Sequence, residues 1–599
     1  CESRDPPSQM WRSRSSFATL KLTHIGPITL TFALGYAYSS TSPSGSRVSA
    51  EAVSSSSSSS SPTATSSSSA FLTGVTRTAR LYAVAAPVVI RYRYLEQAQK
   101  LFPRSDEETA NAEWHALDVA HADHIVDMLK DLRGMYTKYG QMAAGLTANV
   151  SEHWSERLRD LEDAVPPRPV DDVLRTIEEE TNKPWTETFE AFDEKPLGSA
   201  SIGQVHRATL RASRKQVCVK VQYPDAQNLF AQDMKTIRSF CRIFAPEQVI
   251  IFDELTRQLK EEFDYRQEAA NLNQVSANLR ATRYLPRDVD VPKPLEKLCT
   301  RRMLVMELLP GPKLVDGMRV CAEEEARRLG LSLPDYEAEM RRRFDEDGVP
   351  SSYRGASATT IALYTSALRA GVAVRNVAAL TYDWTVAKPL GLRQAGWVSA
   401  RPPPNVPRIV NTLMRVHGHQ LLVDGTFQSD PHAGNFLLMP DGRVGLIDYG
   451  ATKRLTRAER LSACLLYAAL WRGDQSRVLQ LCKVGGYKSR HMDEGVAYKL
   501  CRFGFDTYGR DLLGGKNIQQ FMDDLHKTDP LEEAADNLVM ASLLSVRLRA
   551  VGLSMGYPIV CSRWWGPMAD RVLRDEGLPY EVWDEALMQE HLTADIRVA

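Results

Sequence analysis

The sequence has no excess of either charge and no paired cysteine motif. Lys+Arg and Asp+Glu number 74 each in 599 residues, which argues against a dedicated nucleic-acid binder or a trap for acidic substrates. The nine cysteines are scattered without a C-x-x-C pair, a pattern that favours free buried thiols in a reducing compartment over a disulfide scaffold or a zinc site. The length predicts roughly three or four domains.

The N-terminal segment lacks acidic residues. The first residue is Cys1, and we expect translation to start at Met10. From there to Ala50 the chain has Arg and Lys among Ser and Thr but no Asp or Glu. This composition predicts an organelle transit peptide, with the mitochondrion as first choice and the plastid as second. The apolar run 25–38 is short for a membrane span, so a signal-peptide core or an interfacial anchor is the competing interpretation.

The next three segments are less specific. Residues 54–69 are almost pure Ser and predict a disordered linker. Residues 71–94 are apolar and basic, are interrupted by Pro87, and fit either a membrane-surface helix or a packing helix. Residues 107–132 predict a charged helix. Its His121 and His124 have a spacing that a metal site can use, but solvated histidines on a polar face are the favoured interpretation.

Residues 429–450 carry the strongest functional pattern. Two apolar runs flank a Pro-Asp-Gly turn and predict a hairpin, which brings Asn435 close to Asp448. An Asp (Asp430), an Asn five residues later and an Asp-aromatic-Gly after a hairpin are typical of a kinase-type phosphoryl-transfer site. Asn435 and Asp448 would offer oxygen ligands to Mg²⁺, and Asp430 would orient an attacking hydroxyl or water. The alternative is a surface hairpin with polar ends.

A lysine strand precedes this hairpin. Residues 196–210 form a small-residue loop between candidate strands, where backbone N–H groups can approach phosphates. Lys220 lies inside the predicted strand 216–224 and can pair with phosphate oxygens. A buried strand does not accept an ammonium group unless a partner offsets its desolvation. The strand therefore predicts a carboxylate partner nearby.

Glu268, on a predicted helix over residues 252–275, is the candidate partner of Lys220. On such a helix Asp264 and Glu268 lie about 40° apart, whereas Glu262 lies about 120° from Glu268, so carboxylates point in two directions. A Lys–Glu pair at about 4 Å gains about 4 kcal/mol of Coulomb attraction at an effective dielectric of 20, before desolvation is subtracted. A solvent-exposed charged helix is the alternative.

The apolar strand 302–309 is predicted to lead into an interlobe hinge. Backbone groups of Glu307 and Leu308 would then contact adenine. Beyond it, residues 315–405 read as an insertion that begins with a charged helix over 322–347, and helices dominate after the hairpin.

These residues together resemble the UbiB/ADCK family of atypical, kinase-like proteins, over about residues 130–310 and 405–475. The motif set is specific, although Ser replaces some alanines of the nucleotide loop and Tyr449 replaces the usual Phe. The matching motifs are Lys138-x-Gly140-Gln141 (KxGQ), Ala200-Ser201-Ile202-Gly203-Gln204-Val205 (the alanine-rich nucleotide loop), Glu262-x-Asp264 (ExD) with Glu268 six residues after Glu262, and Asp448-Tyr449-Gly450.

The resemblance implies an α+β, bilobal protein-kinase-like fold with a small β-rich N-lobe, a helical C-lobe and an N-terminal helical extension carrying the KxGQ motif. The expected divisions are 1–75 for the transit peptide and linker, 76–195 for the extension, 196–312 for the N-lobe, and 313–599 for the C-lobe with its insertion at about 315–405.

The resemblance also implies binding of ATP or ADP with Mg²⁺, weak or absent phosphorylation of proteins in trans, and support of ubiquinone or related prenyl-lipid biosynthesis at an organelle membrane. Expected partners are a nucleotide, prenyl lipids or their biosynthetic proteins, and a membrane surface, but no nucleic acid. Lys220, Glu268 and Asp430 would be catalytic, and Asn435 and Asp448 would hold the metal. The expected nucleotide contacts are Ala200, Ser201, Gly203, Gln204, Val205, Lys220, Glu307 and Leu308, and the expected gate is Lys138, Gly140, Gln141, Glu262 and Asp264.

Two other functions fit the same residues. One is a genuine protein kinase, which requires an open peptide groove. The other is a non-catalytic, nucleotide-responsive scaffold or lipid chaperone. Every catalytic position is occupied by a competent residue, so the sequence is compatible with each of these functions.

Overall fold

The computed structural model describes most of the chain from residue 64 onward. The described residues are 64–137, 140, 153–154, 157–158, 161, 167–199, 202–244, 263–347, 352–400, 402–429, 431–516, 518–533 and 536–592. The expected transit peptide lies outside them. Six residues of the expected site also lie outside the described residues: Lys138, Gln141, Ala200, Ser201, Glu262 and Asp430.

Two long helices, α1 (Ala64–Leu101) and α2 (Glu107–Leu132), begin the described chain. The bounds of α2 agree with the prediction, and Asp106 caps it by accepting a hydrogen bond from the Thr109 N–H. The prediction for α1 was wrong in two respects. It starts inside the Ser-rich segment, and it continues through Pro87. A proline removes one helical hydrogen bond, and the burial of Val88 and Val89 directly after it stabilises the helix.

The small lobe is built around a five-stranded antiparallel sheet of order β1-β3-β4-β6, with β2 paired to β3. The sheet starts at Phe189, upstream of the expected lobe boundary at residue 196. The elements up to the hinge are α3 (Val170–Thr181), α4 (Trp185–Thr188), β1 (Phe189–Phe192), β2 (Gly198–Ser199), β3 (Gly203–Leu210), β4 (Gln216–Gln222), α5 (Ala226–Phe244), α6 (Tyr265–Ala281), β5 (Val289–Asp290) and β6 (Met303–Glu307).

Strand β4 has a different environment on each face. Its alternate valines pack with α3 in a closed apolar cluster, because side chains alternate along a strand. Cys218 and Lys220 point to the opposite face, where Cys218 joins the main core that continues into the large lobe. Lys220 is thereby directed into the space between the lobes.

Helix α5 packs into the core of the N-terminal extension, although the sequence placed it in the small lobe. A buried ion pair fixes this contact: the Arg77 guanidinium on α1 donates to both carboxylate oxygens of Asp233 on α5, at 2.9 and 2.7 Å. Burial raises the pKa of Asp233 to about 6, although the Arg77 hydrogen bonds work in the other direction. The extension and α5 therefore form one packed unit.

The large lobe is mostly helical. A three-stranded sheet of order β5-β9-β8 carries the hairpin that the sequence predicted. The elements are α7 (Leu314–Leu329), α8 (Leu333–Asp347), α9 (Ala358–Tyr382), α10 (Lys388–Leu390), α11 (Val406–His419), β7 (Thr426–Gln428), β8 (Phe436–Leu438), β9 (Val444–Leu446), β10 (Thr452–Arg454), α12 (Arg457–Arg472), α13 (Gln475–Val484), β11 (Lys488–Ser489), α14 (Glu494–Phe505), α15 (Arg510–Leu513), α16 (Ile518–Thr528), β12 (Leu531–Glu533), α17 (Asp536–Ser554), α18 (Cys561–Asp575) and α19 (Glu585–Leu592).

Close helix contacts hold the large lobe together. Trp565 on α18 is fully buried, and its indole N–H donates to the Met414 carbonyl of α11 at 2.7 Å. A Cβ at Gly418 would meet the Trp565 ring at 2.4 Å, so this crossing requires a glycine. The single helix expected over 322–347 is two helices instead. Gly330, in the left-handed conformation (φ 74°), ends α7.

All eight cysteines in the described part of the chain are free, and six of them are buried, as the sequence indicated. Among the described helices, none combines the length and the apolar content needed to cross a bilayer.

Candidate nucleotide-binding site

A buried ion pair lies at the centre of the cleft between the lobes. The Lys220 ammonium on β4 donates to both carboxylate oxygens of Glu268 on α6, at 3.0 and 2.9 Å. The Lys220 and Glu268 side chains are only 13% and 3% exposed. Glu268 lies on the apolar stripe of α6, whose buried residues recur every three or four positions. The helix therefore directs this carboxylate inward.

Asp448 approaches the same ammonium group. Its Oδ2 lies 3.4 Å from Lys220 Nζ, and its side chain is 44% exposed. Burial acts to lower the pKa of Lys220, but the charges of Asp448 and Glu268 outweigh it and hold the pKa well above its usual value. Lys220 is therefore a fixed cation between one buried and one accessible carboxylate.

The Asp448-Tyr449-Gly450 turn is held in an uncommon conformation. Asp448 has a φ of 65°, in the left-handed region that few residues other than glycine adopt. The buried Gln428 amide donates to the carbonyl oxygens of Ile447 and Asp448, at 3.2 and 2.5 Å. Gly450 allows the close approach, because a Cβ there would lie 3.4 Å from Glu268 Oε2 and 3.3 Å from Asp448 Oδ1.

Helix α6 links the ion pair to this turn. Asn271, one turn beyond Glu268, donates from Nδ2 to the Tyr449 carbonyl at 3.0 Å. The Tyr449 ring is fully buried, and its hydroxyl accepts a hydrogen bond from Gln420 Nε2 at 2.9 Å. Sequence reasoning missed Asn271, Gln420 and Gln428. The i,i+3 spacing of Asn271 from Glu268 was a local signal that could have identified the first of them.

The hairpin places Asn435 beside the same turn. Asn435 ends a short 3₁₀ turn (Ala433–Asn435), and its N–H donates to the His432 carbonyl at 2.9 Å. Its own carbonyl accepts from the Ile447 N–H at 3.0 Å, one residue before Asp448. The spatial relation expected from the hairpin is thus present in the backbone, while Asp430 lies outside the described residues.

Strand β3 separates the expected nucleotide contacts into two groups. Val205 lies directly opposite Lys220 in the antiparallel register, so both side chains project to the cleft face. Gln204 projects to the other face and is fully buried. Its amide pairs with the backbone of Arg168 at 3.0 and 3.2 Å. The Gln204 side chain therefore supports the extension and points away from the cleft, contrary to the expectation that it contacts a nucleotide.

Gly203 is required by backbone packing. A Cβ at this position would lie 2.3 Å from the Val221 carbonyl oxygen and 2.9 Å from the Tyr265 hydroxyl. Tyr265 in turn lies under Lys220, with its ring centre 5.2 Å from Nζ. The absence of a side chain at Gly203 keeps strands β3 and β4 close at the edge of the cleft.

The hinge differs in part from the expectation. The Glu307 N–H donates to the Lys293 carbonyl at 3.0 Å, so this N–H is already occupied, whereas Leu308 follows the end of β6.

Lys313, which sequence reasoning missed, reaches back across the cleft. Its Nζ lies 3.4 Å from the position that a Cβ would take on Gly198. It adds a second cation near the small-residue loop.

The expected gate is described only at Gly140 and Asp264. A Cβ at Gly140 would collide with the Leu161 side chain at 2.1 Å, so a packed helix contact requires this glycine. Asp264 does not share a helix face with Glu268, as the sequence had suggested. It is the N-cap of α6 and accepts hydrogen bonds from the Arg266 backbone and guanidinium, at 3.0 and 2.9 Å.

Comparison with known proteins identifies the family. Residues 160–332 and 359–482 match the family model described as "ABC1 atypical kinase-like domain". The chain belongs to this family. Its kinase-like α+β fold is thereby confirmed, and the matched residues include Lys220, Glu268, Asn435 and Asp448.

Curated relatives of this ABC1 chain are named as kinases. It is 32% identical over 249 residues to "AarF domain-containing protein kinase 1" of Xenopus tropicalis, which covers 41% of this chain and 46% of the relative. It is 26% identical over 347 residues to "Protein ACTIVITY OF BC1 COMPLEX KINASE 1, chloroplastic" of Arabidopsis thaliana, covering 57% of this chain and 39% of the relative. The matches thus span less than half the length of these two relatives.

A solved structure titled "The complex structure of Rv3197-erythromycin from Mycobacterium tuberculosis" aligns with 80% of this ABC1 chain, at 20% identity and a TM-score of 0.41.

The donor set of the ABC1 site fits Mg²⁺ held together with a nucleotide. Asp448 offers an accessible carboxylate and Asn435 an amide oxygen, and both are ligand types that this hard cation prefers. No group of three or more His, Cys, Asp or Glu side chains in the described residues could form a metal cage. Mg²⁺ usually takes one or two protein ligands and completes its shell with phosphates and water, so two oxygen donors suffice.

Proposed function

We propose that this chain is an atypical kinase-like ATPase that binds ATP or ADP with Mg²⁺ between its lobes. The observation that carries the proposal is the convergence of three distant segments on one ammonium group: Lys220 lies 2.9 Å from Glu268 and 3.4 Å from Asp448. A buried cation with an accessible carboxylate beside it, on the cleft face of the small-lobe sheet, suits a triphosphate. The cation can pair with phosphate oxygens, and the carboxylate can hold the metal ion.

Each charged group has a distinct part in this proposal. Lys220, oriented by Glu268, would bind α- and β-phosphate oxygens, and Lys313 would add positive charge near the small-residue loop. Val205 would contact the base from the cleft face of β3. Because Glu268 remains paired when the nucleotide enters, the lysine needs no reorganisation to bind phosphate.

The chemistry proposed is transfer of the γ-phosphoryl group. The oxygen of a water or hydroxyl attacks the γ-phosphorus, its proton passes to the carboxylate of Asp430, and the bond between the γ-phosphorus and the bridging oxygen of ADP breaks. Asn435 and Asp448 would hold Mg²⁺, which when bound neutralises phosphate charge. Catalysis would consist mainly of positioning and charge stabilisation.

We further propose that the ATPase supports ubiquinone or related prenyl-lipid biosynthesis at an organelle membrane, in a mitochondrion or a plastid. The support is the family resemblance, together with a relative whose name includes the word chloroplastic. The lipid role is tested by the prenyl-quinone content of cells that lack this chain. Wild type should restore it and Asp448→Asn should not; equal restoration by both would favour a non-catalytic scaffold.

The ATPase itself is tested with the purified chain. Asp448→Asn should reduce Mg²⁺-dependent phosphate release from ATP by about a hundredfold or more, because a transition-state charge contact is lost. Asp441→Asn is a matched control, since Asp441 lies in the turn of the same hairpin and pairs with Arg443, away from the cleft. Equal rates in wild type and Asp448→Asn would refute the proposal.

A further inference from the structure

Helix α9 exposes apolar side chains along its length. Those on one side form the α9 face, defined as Leu363, Val374, Val377 and Leu380 of the helix and Trp384 of the π-helical turn Asp383–Ala387 that continues it, with exposures of 68, 71, 65, 53 and 64%. At about 100° per residue the four side chains inside α9 fall within an arc of about 120°. Large apolar side chains that share one side of a helix are normally buried in a soluble domain.

The chain after α9 extends this apolar surface. Leu390, Leu392 and Trp397 are 68, 50 and 75% exposed. Aromatic and aliphatic side chains therefore reach solvent from a helix and from the irregular segment beside it.

Polar groups lie on the inner side of the same segment. Asn376 is 3% exposed and exchanges two hydrogen bonds with the Val398 backbone, at 2.7 and 3.1 Å. Asp383 is 9% exposed and accepts a hydrogen bond from the Ala395 N–H at 2.6 Å. The segment thus buries this amide and this carboxylate through specific contacts, while large apolar side chains of the same segment are exposed. Exposed apolar side chains on a segment held by specific contacts point to an apolar environment outside.

The segment carries a net positive formal charge. Residues 352–400 contain five cations and a single acid, Asp383, which is buried. Lys388 lies with Nζ 3.8 Å from the centre of the Trp384 ring, so a cation and an indole are presented together. The cationic residues are Arg354, Arg369, Arg375, Lys388 and Arg393. Cations beside exposed Trp and aliphatic side chains are typical of a surface that lies in the headgroup region of an anionic bilayer.

The helix is held against the large lobe. The Arg369 guanidinium donates to the Pro440 carbonyl at 3.0 Å, and Asn405 donates to the Ala358 carbonyl at 2.8 Å. The ring of Tyr353, just before α9, stacks on Tyr557 at 4.7 Å. These contacts fix the helix along the surface of the domain, with the α9 face outward.

We propose that residues 352–400 dock this chain on an anionic lipid bilayer, with the α9 face and Trp397 in the headgroup region and with Lys388, beside Trp384, against lipid phosphates. The inference deepens the proposed membrane role and rests on it, but it does not depend on nucleotide binding. It gives the segment expected to be an insertion, whose role the sequence left open, a specific partner.

The test is co-sedimentation of the full chain with vesicles of phosphatidylcholine, and with vesicles in which part of the phosphatidylcholine is replaced by phosphatidylglycerol. Wild type should bind the anionic vesicles about tenfold or more tightly than the neutral ones, and added salt should weaken that binding. Val377→Glu/Trp384→Glu should lose at least about tenfold in binding to the anionic vesicles. Val582→Glu, at a valine that is 50% exposed elsewhere, is the matched control and should bind like wild type.

ATP hydrolysis without vesicles is measured on the same samples, and it should be equal in all of them. Failure of wild type to bind anionic vesicles, or equal binding by wild type and Val377→Glu/Trp384→Glu, would overturn the proposal. So would a wild-type dimer in solution that this double substitution dissociates, because the face would then bind a second copy. Vesicle binding without any ATP hydrolysis would refute the proposed ATPase and support the docking surface.

Discussion

The Gln428 side chain fixes the backbone at Asp448 through hydrogen bonds. Its amide is buried and donates to the carbonyl oxygens of Ile447 and Asp448, at 3.2 and 2.5 Å. These bonds fix a left-handed residue whose carboxylate lies 3.4 Å from Lys220. The strained conformation and the ion pair are therefore parts of one arrangement.

Replacement of Gln428 by Leu should affect stability and nucleotide affinity together. Two partly buried carbonyl oxygens lose their donor, which should lower the free energy of unfolding by about 1–3 kcal/mol. The affinity for Mg²⁺-ADP should fall by about tenfold, or about 1.4 kcal/mol, because Asp448 is no longer held in place. Gln420→Leu removes only the donor to the Tyr449 hydroxyl and is the control. It should lower stability while leaving nucleotide affinity intact, and an equal loss of affinity in both variants would contradict the role given to Gln428.

The buried Lys220–Glu268 pair should show strong coupling in a double-mutant cycle. Lys220→Met leaves a nearly inaccessible carboxylate without its partner and should cost about 3–5 kcal/mol in the free energy of unfolding. Lys220→Met/Glu268→Met removes both charges and should be more stable than the single variant. Urea unfolding of wild type, of the single variants Lys220→Met and Glu268→Met, and of the double variant measures the coupling. Additive effects of the two substitutions would show that the pair is not an energetic unit.

Replacement of glycine by alanine should have opposite effects on stability at two positions. Gly203→Ala places a Cβ 2.3 Å from the Val221 carbonyl and should destabilise the small lobe by about 1–3 kcal/mol. Gly371 lies inside α9 with open space around it, so Gly371→Ala should stabilise the chain by about 0.5–1 kcal/mol. Thermal unfolding of the two variants is the measurement. A neutral Gly203→Ala would mean that β3 and β4 can separate without cost.

His417 should make stability depend on mildly acidic pH. Burial lowers its pKa from 6.5 to about 4. As the pH falls, the unfolded chain takes up a proton on this histidine before the folded chain does. The contribution of the neutral, buried imidazole to stability is therefore complete above pH 6.5 and is lost as the pH falls toward 4. The free energy of unfolding should fall by about 2 kcal/mol between pH 7 and pH 5. His417→Met should remove that part of the pH dependence, and an unchanged profile in denaturant titrations at the two pH values would refute it.

Local patterns were enough to predict several parts of the site. The Pro-Asp-Gly turn between two apolar runs predicted the hairpin, and the confined apolar run around Lys220 predicted a strand with a buried cation. Glu268 was predicted because a buried ammonium group requires a carboxylate partner, and the structure places it on the apolar stripe of α6. In each case the physical constraint acts within one element or between two partners.

Other features depended on contacts that no local pattern encodes. The sequence pattern placed Asp264 inside a predicted helix, whereas in the structure Asp264 is the N-cap of α6. Gln204 sits in a small-residue motif, yet the alternation of β3 turns it away from the cleft, which strict use of the period of two could have predicted. Helix α1 continues through Pro87 because packing with the rest of the extension outweighs the lost hydrogen bond. Gln428 and Asn271 acquire their roles only through long-range contacts.

The convergence of Lys220, Glu268, Asn435 and Asp448 on one metal-bound nucleotide is tested most directly by Mn²⁺ paramagnetic resonance, with Mn²⁺ in place of Mg²⁺. Titration of the purified chain with ADP present should show one bound Mn²⁺ per chain, and Asp448→Asn should abolish that binding while Asp441→Asn retains it. Undiminished Mn²⁺ binding by Asp448→Asn, or no nucleotide-dependent binding by wild type, would contradict the assignment.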